Sequence, residues 1–407
     1  MIRETASKTP TVRFKGFVEP WEQKRLGELY TERNERGNDL LQILSVSIHS
    51  GVSNGELDSE SLGKQVRRSE DKSLYKHVYA GDLVFNMMRA WQGAIGVAAN
   101  EGMVSPAYIT AVPNETVYPP FMDFGLRRSQ IVAQMNNLSY GVTDFRKRLY
   151  WDSFIRVVVN ISSVSEQRKI TDYLSQLDDL ITLHQRKHDK LVALKQAMLQ
   201  KMFPQEDATT PEIRFKGFEG DWSLAELGGE VEFFSGLTYS PHHVRPKGGT
   251  LVLRSSNVKN GELVDADNVY VESCVAKSEQ VRIGDIVVVV RNGSRSLIGK
   301  HAPVITQMND TVIGAFMTGI RAKHFGFINA LLNTSAFMKQ IEENTGATIN
   351  QITTGVFKKM RFRFPKPDEQ EKIGDYFRLV DSVISKHAIQ VEKLKNIKAA
   401  CLDHMFA

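Results

Sequence analysis

One helical pattern occurs twice in this chain, and its recurrence limits what the chain can fold into. Residues Glu166–Phe203 read EQRKITDYLSQLDDLITLHQRKHDKLVALKQAMLQKMF, and Glu369–Phe406 read EQEKIGDYFRLVDSVISKHAIQVEKLKNIKAACLDHMF. With a shift of 203 positions, Glu166, Gln167, Lys169, Ile170, Asp172, Tyr173, Asp178, Ile181, His184, Lys190, Leu191, Lys195 and Phe203 meet identical residues. Steps of three and four pick out Ile170, Tyr173, Leu177, Leu180, His184, Leu191 and Leu194 in the first copy. In the second they pick out Ile373, Tyr376, Val380, Val383, His387, Leu394 and Ile397. That spacing predicts a heptad seam. Both interiors lack Pro and Gly apart from Gly374, and at 1.5 Å per residue each rod spans roughly 57 Å. A stripe so narrow cannot be buried alone, so the two helices are expected to bury each other. Leu174, Ile181 and Phe377, outside the seam, are expected mostly to complete that bundle.

The remainder repeats as well. PTVRFKGFVEPWEQKRLGEL from Pro10 has its twin in PEIRFKGFEGDWSLAELGGE from Pro211. A period near 200 is far beyond solenoid repeats and indicates duplication of whole domains. The expected boundaries are a first globular module over 1–162, a helix over 163–203, a polar linker over 204–210, a second module over 211–366 and a helix over 367–407. Strands are expected at Gln42–Ile48, Asp82–Met87, Ala94–Ala98, Ala107–Val112 and Ile155–Ile161. Their counterparts are Thr250–Arg254, Asp285–Val290, Ala302–Ile305, Phe316–Ile320 and Met360–Phe364. Helical patches fall at Pro120–Met135 and Gly326–Asn344, and turns at Asn260–Gly261 and Asn292–Gly293. Ser163 with Glu166, and Asp368 with Glu371, have capping-box spacing. The fold class is α+β.

Composition narrows the function. The chain has 407 residues, 42% hydrophobic and 24% charged, as in a soluble globular protein. A net charge of +5 hints mildly at a polyanionic partner. With Cys274 and Cys401 alone, no disulfide framework is implied, and a reducing cytoplasm fits. No export leader and no membrane-length apolar run are seen. Nucleotide-binding glycine loops, zinc-ligand spacings and the turn that amino-methyltransferases use to hold a flipped base are all missing. The run Pro367–Lys372 has a superficial likeness to a nuclease motif, but it stands at a helix start, where capping explains it better. His184 and His387 read as polar register-setters within the seam rather than as metal ligands. Catalysis by this chain is therefore not expected.

Binding remains. Basic residues gather in loop-like places: Arg67, Arg68, Arg89, Arg127, Arg128, Arg146, Lys147, Arg148, Arg254, Arg291, Asn292, Arg295, Lys358 and Lys359. Aromatic residues lie beside them, among them Tyr150, Trp151 and Phe357. Lys and Arg neutralise phosphates, while Arg and Asn can read base edges. A solvated surface would show some such pairs by chance. The RNGSR loop at Arg291–Arg295 and Arg89 are the best candidates, because each follows a Gly-Asp strand and would project from its end.

The twin RFKGF…W…LG openings, the EQ-x-K-I helix starts, the paired long helices, and the phrases Val104–Tyr108 and Ala347–Ile352 resemble the specificity subunit of type I restriction–modification enzymes (HsdS-like) over essentially the whole chain. The first half has Gly141–Phe145 where the second has the latter phrase. The resemblance implies two target-recognition domains separated by two long antiparallel coiled-coil helices with a pseudo-twofold internal repeat. Each domain would read half of an asymmetric bipartite site in double-stranded DNA. The helices would set the unread spacer, a rod of this length matching about 17 base pairs. The chain itself would be non-catalytic and carry no cofactor or metal. Two methyltransferase subunits with S-adenosylmethionine and two restriction subunits with ATP and Mg would be its partners in phage defence. The alternatives are a duplicated coiled-coil scaffold that does not read DNA, and a specificity subunit serving a methyltransferase-only complex.

Overall fold

The duplicated sequence gives a duplicated order of elements. A computed structural model describes residues 9–53, 72–143, 146–205, 207–345 and 350–407. The first half runs β1 (Glu22–Arg25), β2 (Tyr30–Arg33), β3 (Leu83–Asn86), β4 (Ile95–Val97), β5 (Tyr108–Pro113), α1 (Pro119–Leu126), α2 (Ser129–Leu138), β6 (Val158–Ile161) and α3 (Val164–Lys201). The second runs β7 (Ser223–Glu226), β8 (Glu232–Ser235), β9 (Ile286–Val289), β10 (His301–Pro303), β11 (Met317–Arg321), α4 (Phe325–Leu332), α5 (Ser335–Asn344), β12 (Arg361–Phe364) and α6 (Pro367–His404). The class is α+β.

Each half builds an antiparallel four-stranded sheet, in the order β2-β5-β3-β4 and again β8-β11-β9-β10. The inner strands β3 (LVFN) and β9 (IVVV) are buried at every position, which is why they read as continuous apolar runs and not as alternating ones. A second antiparallel pair, β1 with β6 and β7 with β12, joins each opening motif to the strand before its long helix. The helical patch over 120–135 divides at Arg127–Arg128. Its counterpart divides at Asn333–Thr334, where the Thr334 hydroxyl caps α5 by accepting from Phe337 N. Over 42–48 only Val46–Ser47 forms a strand. In the second half the Asn260–Gly261 turn, with φ of 53° and 77°, closes the hairpin Val258–Lys259/Glu262–Leu263, as a type I′ turn requires. That half also adds a four-stranded sheet of its own, containing Thr250–Leu253 and Thr311–Ile313.

The chain divides into two compact units, Met1–His184 with Gln390–Ala407, and Gln185–Ile389. The expected boundaries placed whole helices outside the globular modules, whereas here each long helix begins in one unit and ends in the other. In the first unit, Phe406 from the end of α6 packs on Trp21 and, at 4.9 Å, on Phe121. In the second, Phe203 from the end of α3 packs on Trp222 and, at 5.4 Å, on Phe327. Burying an aromatic ring of this size is worth about 3–5 kcal/mol by truncation, so the repeated Met-Phe helix end is an anchor.

The opening motif is fastened to the helix start. The Arg13 guanidinium donates to both carboxylate oxygens of Glu166, at 2.6 and 2.8 Å, and Trp21 Nε1 donates to Glu166 Oε2 at 3.2 Å. Arg214 grips Glu369 in the same way, at 2.7 Å twice. These pairs correct the capping-box expectation. Ser163 Oγ still accepts from Glu166 N, at 3.4 Å, but the Glu166 carboxylate is committed to Arg13. In the second copy α6 already begins at Pro367, so Asp368 lies inside the first turn and does not cap it.

Within each unit the two long helices pair antiparallel. Asp178 accepts from Lys398 at 2.6 Å in the first unit, and Asp381 from Lys195 at 2.6 Å in the second. Ile170, Leu177, Ile373, Val380 and Leu394 are buried, and Tyr173, His184, Leu191, Tyr376, Val383, His387 and Ile397 are half-buried. The seam needs correction at Leu180 and Leu194, which are 42% and 43% exposed, while Leu174, Leu199, Phe377 and Val391 are buried. In α3 the exposures follow the helix period. A straight α-helix turns by about 100° per residue, so a strict heptad stripe drifts around it by about 20° per repeat. Counted from Ile170, Leu180 has swung about 80° off the buried face and Leu194 about 120°, whereas Leu174, Lys195 and Leu199 stay within about 40°.

Candidate nucleic-acid interface

The loop leaving the inner strand is built alike in both units. In the first, β3 ends at Asn86, whose side-chain oxygen accepts from Met88 N at 2.9 Å, and the chain enters a 3₁₀ turn at Ala90–Gln92. Arg89 stands exposed at the start of that turn, beside the exposed Met88. In the second, β9 leads into Arg291–Arg295 and a 3₁₀ turn at Arg295–Leu297.

A second segment flanks each loop and settles the correspondence that the sequence alone leaves open. Leu149 N donates to Met87 O at 2.9 Å, and Ile352 N donates to Val290 O at 2.9 Å. Both partners are related by the same 203-residue shift that relates the helices. Leu149 therefore occupies the place of Ile352, although the stretches of sequence before them share no obvious phrase. In the first unit this stretch is pinched: Tyr140 and Arg148 exchange backbone hydrogen bonds at 3.1 and 3.0 Å. Only glycine fits at position 141, since a Cβ there would meet Arg146 O at 2.3 Å.

The candidate basic residues separate into two groups. Arg89, Arg146, Lys147, Arg148, Arg291 and Arg295 lie on these two segments. Arg146 is exposed. Lys147 lies over the Trp91 ring at 5.3 Å and donates to Asn136 Oδ1 at 2.5 Å. Arg291 is exposed and its guanidinium sits 4.9 Å over Phe316, itself 53% exposed. Arg295 donates to Glu342 O at 3.2 Å. Asn292 belongs to the loop's frame, because its Nδ2 donates to Ser255 Oγ and its Oδ1 accepts from Ser294 N.

The second group lies elsewhere in the fold, and Arg127, Arg128 and Arg254 are engaged there. Arg127 is bonded through its guanidinium to the Asp123 carboxylate, at 2.6 Å, and to Asp123 O. Arg128 lies 4.8 Å over the Phe406 ring, and burial pushes its guanidinium pKa down. Arg254 donates through Nη2 to the Asp267 carboxylate and carbonyl. Lys358 lies over Phe233, with Lys359 exposed beside it on the turn of helix Thr354–Lys359. Arg67 and Arg68 fall outside the described residues, as do Asp144, Phe145 and 347–349.

The Gly-Asp pairs that head β3 and β9 serve the scaffold. Asp82 accepts from Arg33 at 2.7 and 3.1 Å, and Asp285 from Arg321 at 2.8 Å twice. These carboxylates raise the pKa of both guanidinium groups. The arginine comes from β2 in one unit and from β11 in the other, so the shift of 203 does not reveal the pairing. Sequence reasoning also missed Tyr140, Met88 and Phe316, exposed apolar side chains on or against these segments. Tyr150 was already in view from sequence, but its partner Tyr140 was not.

Among the described residues no group of three or more His, Cys, Asp or Glu side chains is placed to hold a metal ion, and no helix is long and apolar enough to cross a membrane. The arrangement is suited to contact: two loop pairs fastened at equivalent places, each with exposed cations beside exposed apolar groups.

Residues 219–396 match the family model described as the type I restriction modification DNA specificity domain. The chain is 27% identical over 193 residues to the EcoKI specificity subunit of Escherichia coli, covering 44% of this chain and 41% of that one. It is 25% identical over 193 residues to the StySPI specificity subunit of Salmonella potsdam, covering 44% and 42%. The chain thus spans about two fifths of the length of these curated relatives. A longer match, 23% identical over 380 residues, covers 84% of this chain and 82% of the putative MjaX specificity subunit of Methanocaldococcus jannaschii. In fold, the chain is similar to the S subunit of a type I restriction–modification system from M. genitalium, with a TM-score of 0.62 at 14% identity, over 98% of this chain and 99% of that one.

Proposed function

Because the chain belongs to the family of type I restriction–modification specificity subunits, we propose that it reads an asymmetric two-part site in double-stranded DNA, one half with each unit. One observation carries this reading. The two inner-strand loops are fastened at equivalent places, by the Leu149–Met87 and Ile352–Val290 hydrogen bonds, while the side chains they present differ. Arg89 with Met88 and Tyr140 would face one half-site, and Arg291 with Phe316 the other. Phosphates would hold each unit in place, and base edges would be read by these loops.

On this reading the chain performs no chemistry. Adenine methylation and ATP-driven cleavage would belong to partners, two modification subunits with S-adenosylmethionine and two restriction subunits with ATP and Mg. A methyltransferase would have to take its adenine out of the stack, which requires a partner held at a fixed place on the duplex. The long helices are the natural scaffold for that.

The test is adenine-methylation mapping in cells that express this chain with its modification subunit, against cells without this chain. A two-part motif that appears only with the chain is expected. Methylation that is unchanged without it would refute DNA reading and leave a protein scaffold.

A further inference from the structure

The two units differ at one position in a way that their shared frame makes measurable. Tyr150 and Thr353 are equivalent: each is the residue before a short helix and accepts from its fourth residue, Phe154 N at 2.9 Å and Phe357 N at 3.0 Å. Thr353 also caps its helix, its hydroxyl accepting from Val356 N at 3.3 Å. Tyr150 makes no side-chain cap. A threonine cap stabilises a helix by about 1 kcal/mol, so the first unit lacks that contact where the second has it. In its place the first unit exposes an aromatic ring. Tyr150 packs against Tyr140 with ring centroids 4.9 Å apart, and the rings are 37% and 54% exposed.

The pair is fixed through its backbone, with charges of both signs near it, Asp152 and Arg156. Tyr140 is fixed by its backbone exchange with Arg148, and Leu149, next to Tyr150, is bonded to the end of β3 that carries Arg89. Arg146 is exposed on the same segment, and Arg156 lies just beyond with one guanidinium nitrogen on Ser153 Oγ at 3.1 Å. Two rings already in contact leave no slot in which a base could be sandwiched. What they present is an outward apolar surface. In the major groove of DNA the apolar feature that marks one base is the thymine C5-methyl.

We propose that Tyr140 and Tyr150 form a specificity contact of the first unit, packing against a thymine methyl in the half-site which that unit reads. This rests on the DNA-reading function proposed above and assigns it a residue pair and a chemical group. The second unit, with Thr353, makes no such contact.

The experiment uses the full chain assembled with its modification subunit and a duplex carrying the mapped motif. The first unit's half-site is identified as the one that survives replacement of residues 211–364 by another module. Thymines there are replaced one at a time by deoxyuridine, which removes only the methyl. Burial of one methyl predicts a loss of about fourfold in affinity at one position. Tyr150→Thr, which restores a capping residue, is expected to lower affinity for the thymine duplex by a similar factor and to abolish the response to deoxyuridine. The other half-site and the salt dependence of binding should not change. Tyr140→Ser is expected to act alike. An assembly indifferent to every methyl in that half, or a Tyr150→Thr variant that keeps the response, overturns the pair as a specificity contact while DNA reading stands. A parent assembly that binds DNA without any sequence preference overturns both.

Discussion

Replacing Glu166 with Gln should loosen the first unit more than Glu369→Gln loosens the second. Both carboxylates are 1% exposed, and both hold an arginine by two hydrogen bonds. Glutamine keeps the volume, removes the charge and offers one acceptor oxygen instead of two. Breaking a buried pair by neutralising one partner costs about 3–5 kcal/mol. Arg13 and Arg214 retain 14% and 17% exposure, so the low end, about 3 kcal/mol, applies to each. Glu166 has a further duty, since Trp21 Nε1 donates to it, whereas Trp222 Nε1 has no partner even in the parent. The extra orphaned donor adds about 1 kcal/mol to the first variant. Chains of two units need not unfold in one step, so amide hydrogen exchange of 167–177 and 370–377 is the suitable assay. Protection should fall by about a hundredfold in 370–377 for Glu369→Gln, and by several hundredfold in 167–177 for Glu166→Gln. Arg13→Met combined with Glu166→Gln should lose less than the sum of the single changes. Unchanged protection in either variant, or strict additivity, would refute the pinning role.

His301 is buried, its Nδ1–H donating to Gly299 O and its Nε2 accepting from Asn333 Nδ2, and burial pushes its pKa down to about 4. The unfolded chain then binds the extra proton, so this contribution is complete above about pH 6.5 and is lost as pH falls toward 4. A loss of about 2 kcal/mol between pH 7.5 and 5 is expected in the second unit, and His301→Gln should flatten the slope of its urea midpoint against pH. Gly374→Ala should destabilise by about 1–3 kcal/mol despite the better helix propensity, because the new Cβ would meet Phe327 N at 2.7 Å; a raised melting temperature would show that α4 can yield. Inserting a heptad into each long helix, about 10 Å of rod, should lengthen the unread spacer by about three base pairs and leave both half-sites unaltered in methylation maps. Replacing residues 211–364 with another module should change one half-site only, and a change in both would mean that the units do not read independently.

The strand exits could be placed from sequence, whereas the partners of other basic residues could not. Arg89 and the Arg291–Arg295 loop follow apolar strands and a Gly-Asp turn, all local signals, and they do stand at strand exits. Arg127, Arg128 and Arg254 sit in equally loop-like sequence. Their fates depend on Asp123, on Phe406 almost 280 residues away, and on Asp267, partners that no local pattern names. Tyr140 and Tyr150 became a pair only because a backbone exchange brings residues ten positions apart together.

By itself the sequence determined the duplication, the element types, the position of the inner strands and the turn at Asn260–Gly261, because these follow from periodicity, β-propensity and backbone sterics acting over a few residues. It also determined that two long helices exist. Only the tertiary structure decided which of their faces is buried, since that depends on what each stretch of helix packs against: Leu194 turns outward and Lys195 turns in to meet Asp381. It alone decided that each helix ends in the other unit's core, with Phe406 on Trp21 and Phe203 on Trp222. Burial against a distant partner is a property of the packed chain, and heptad spacing carries no record of it.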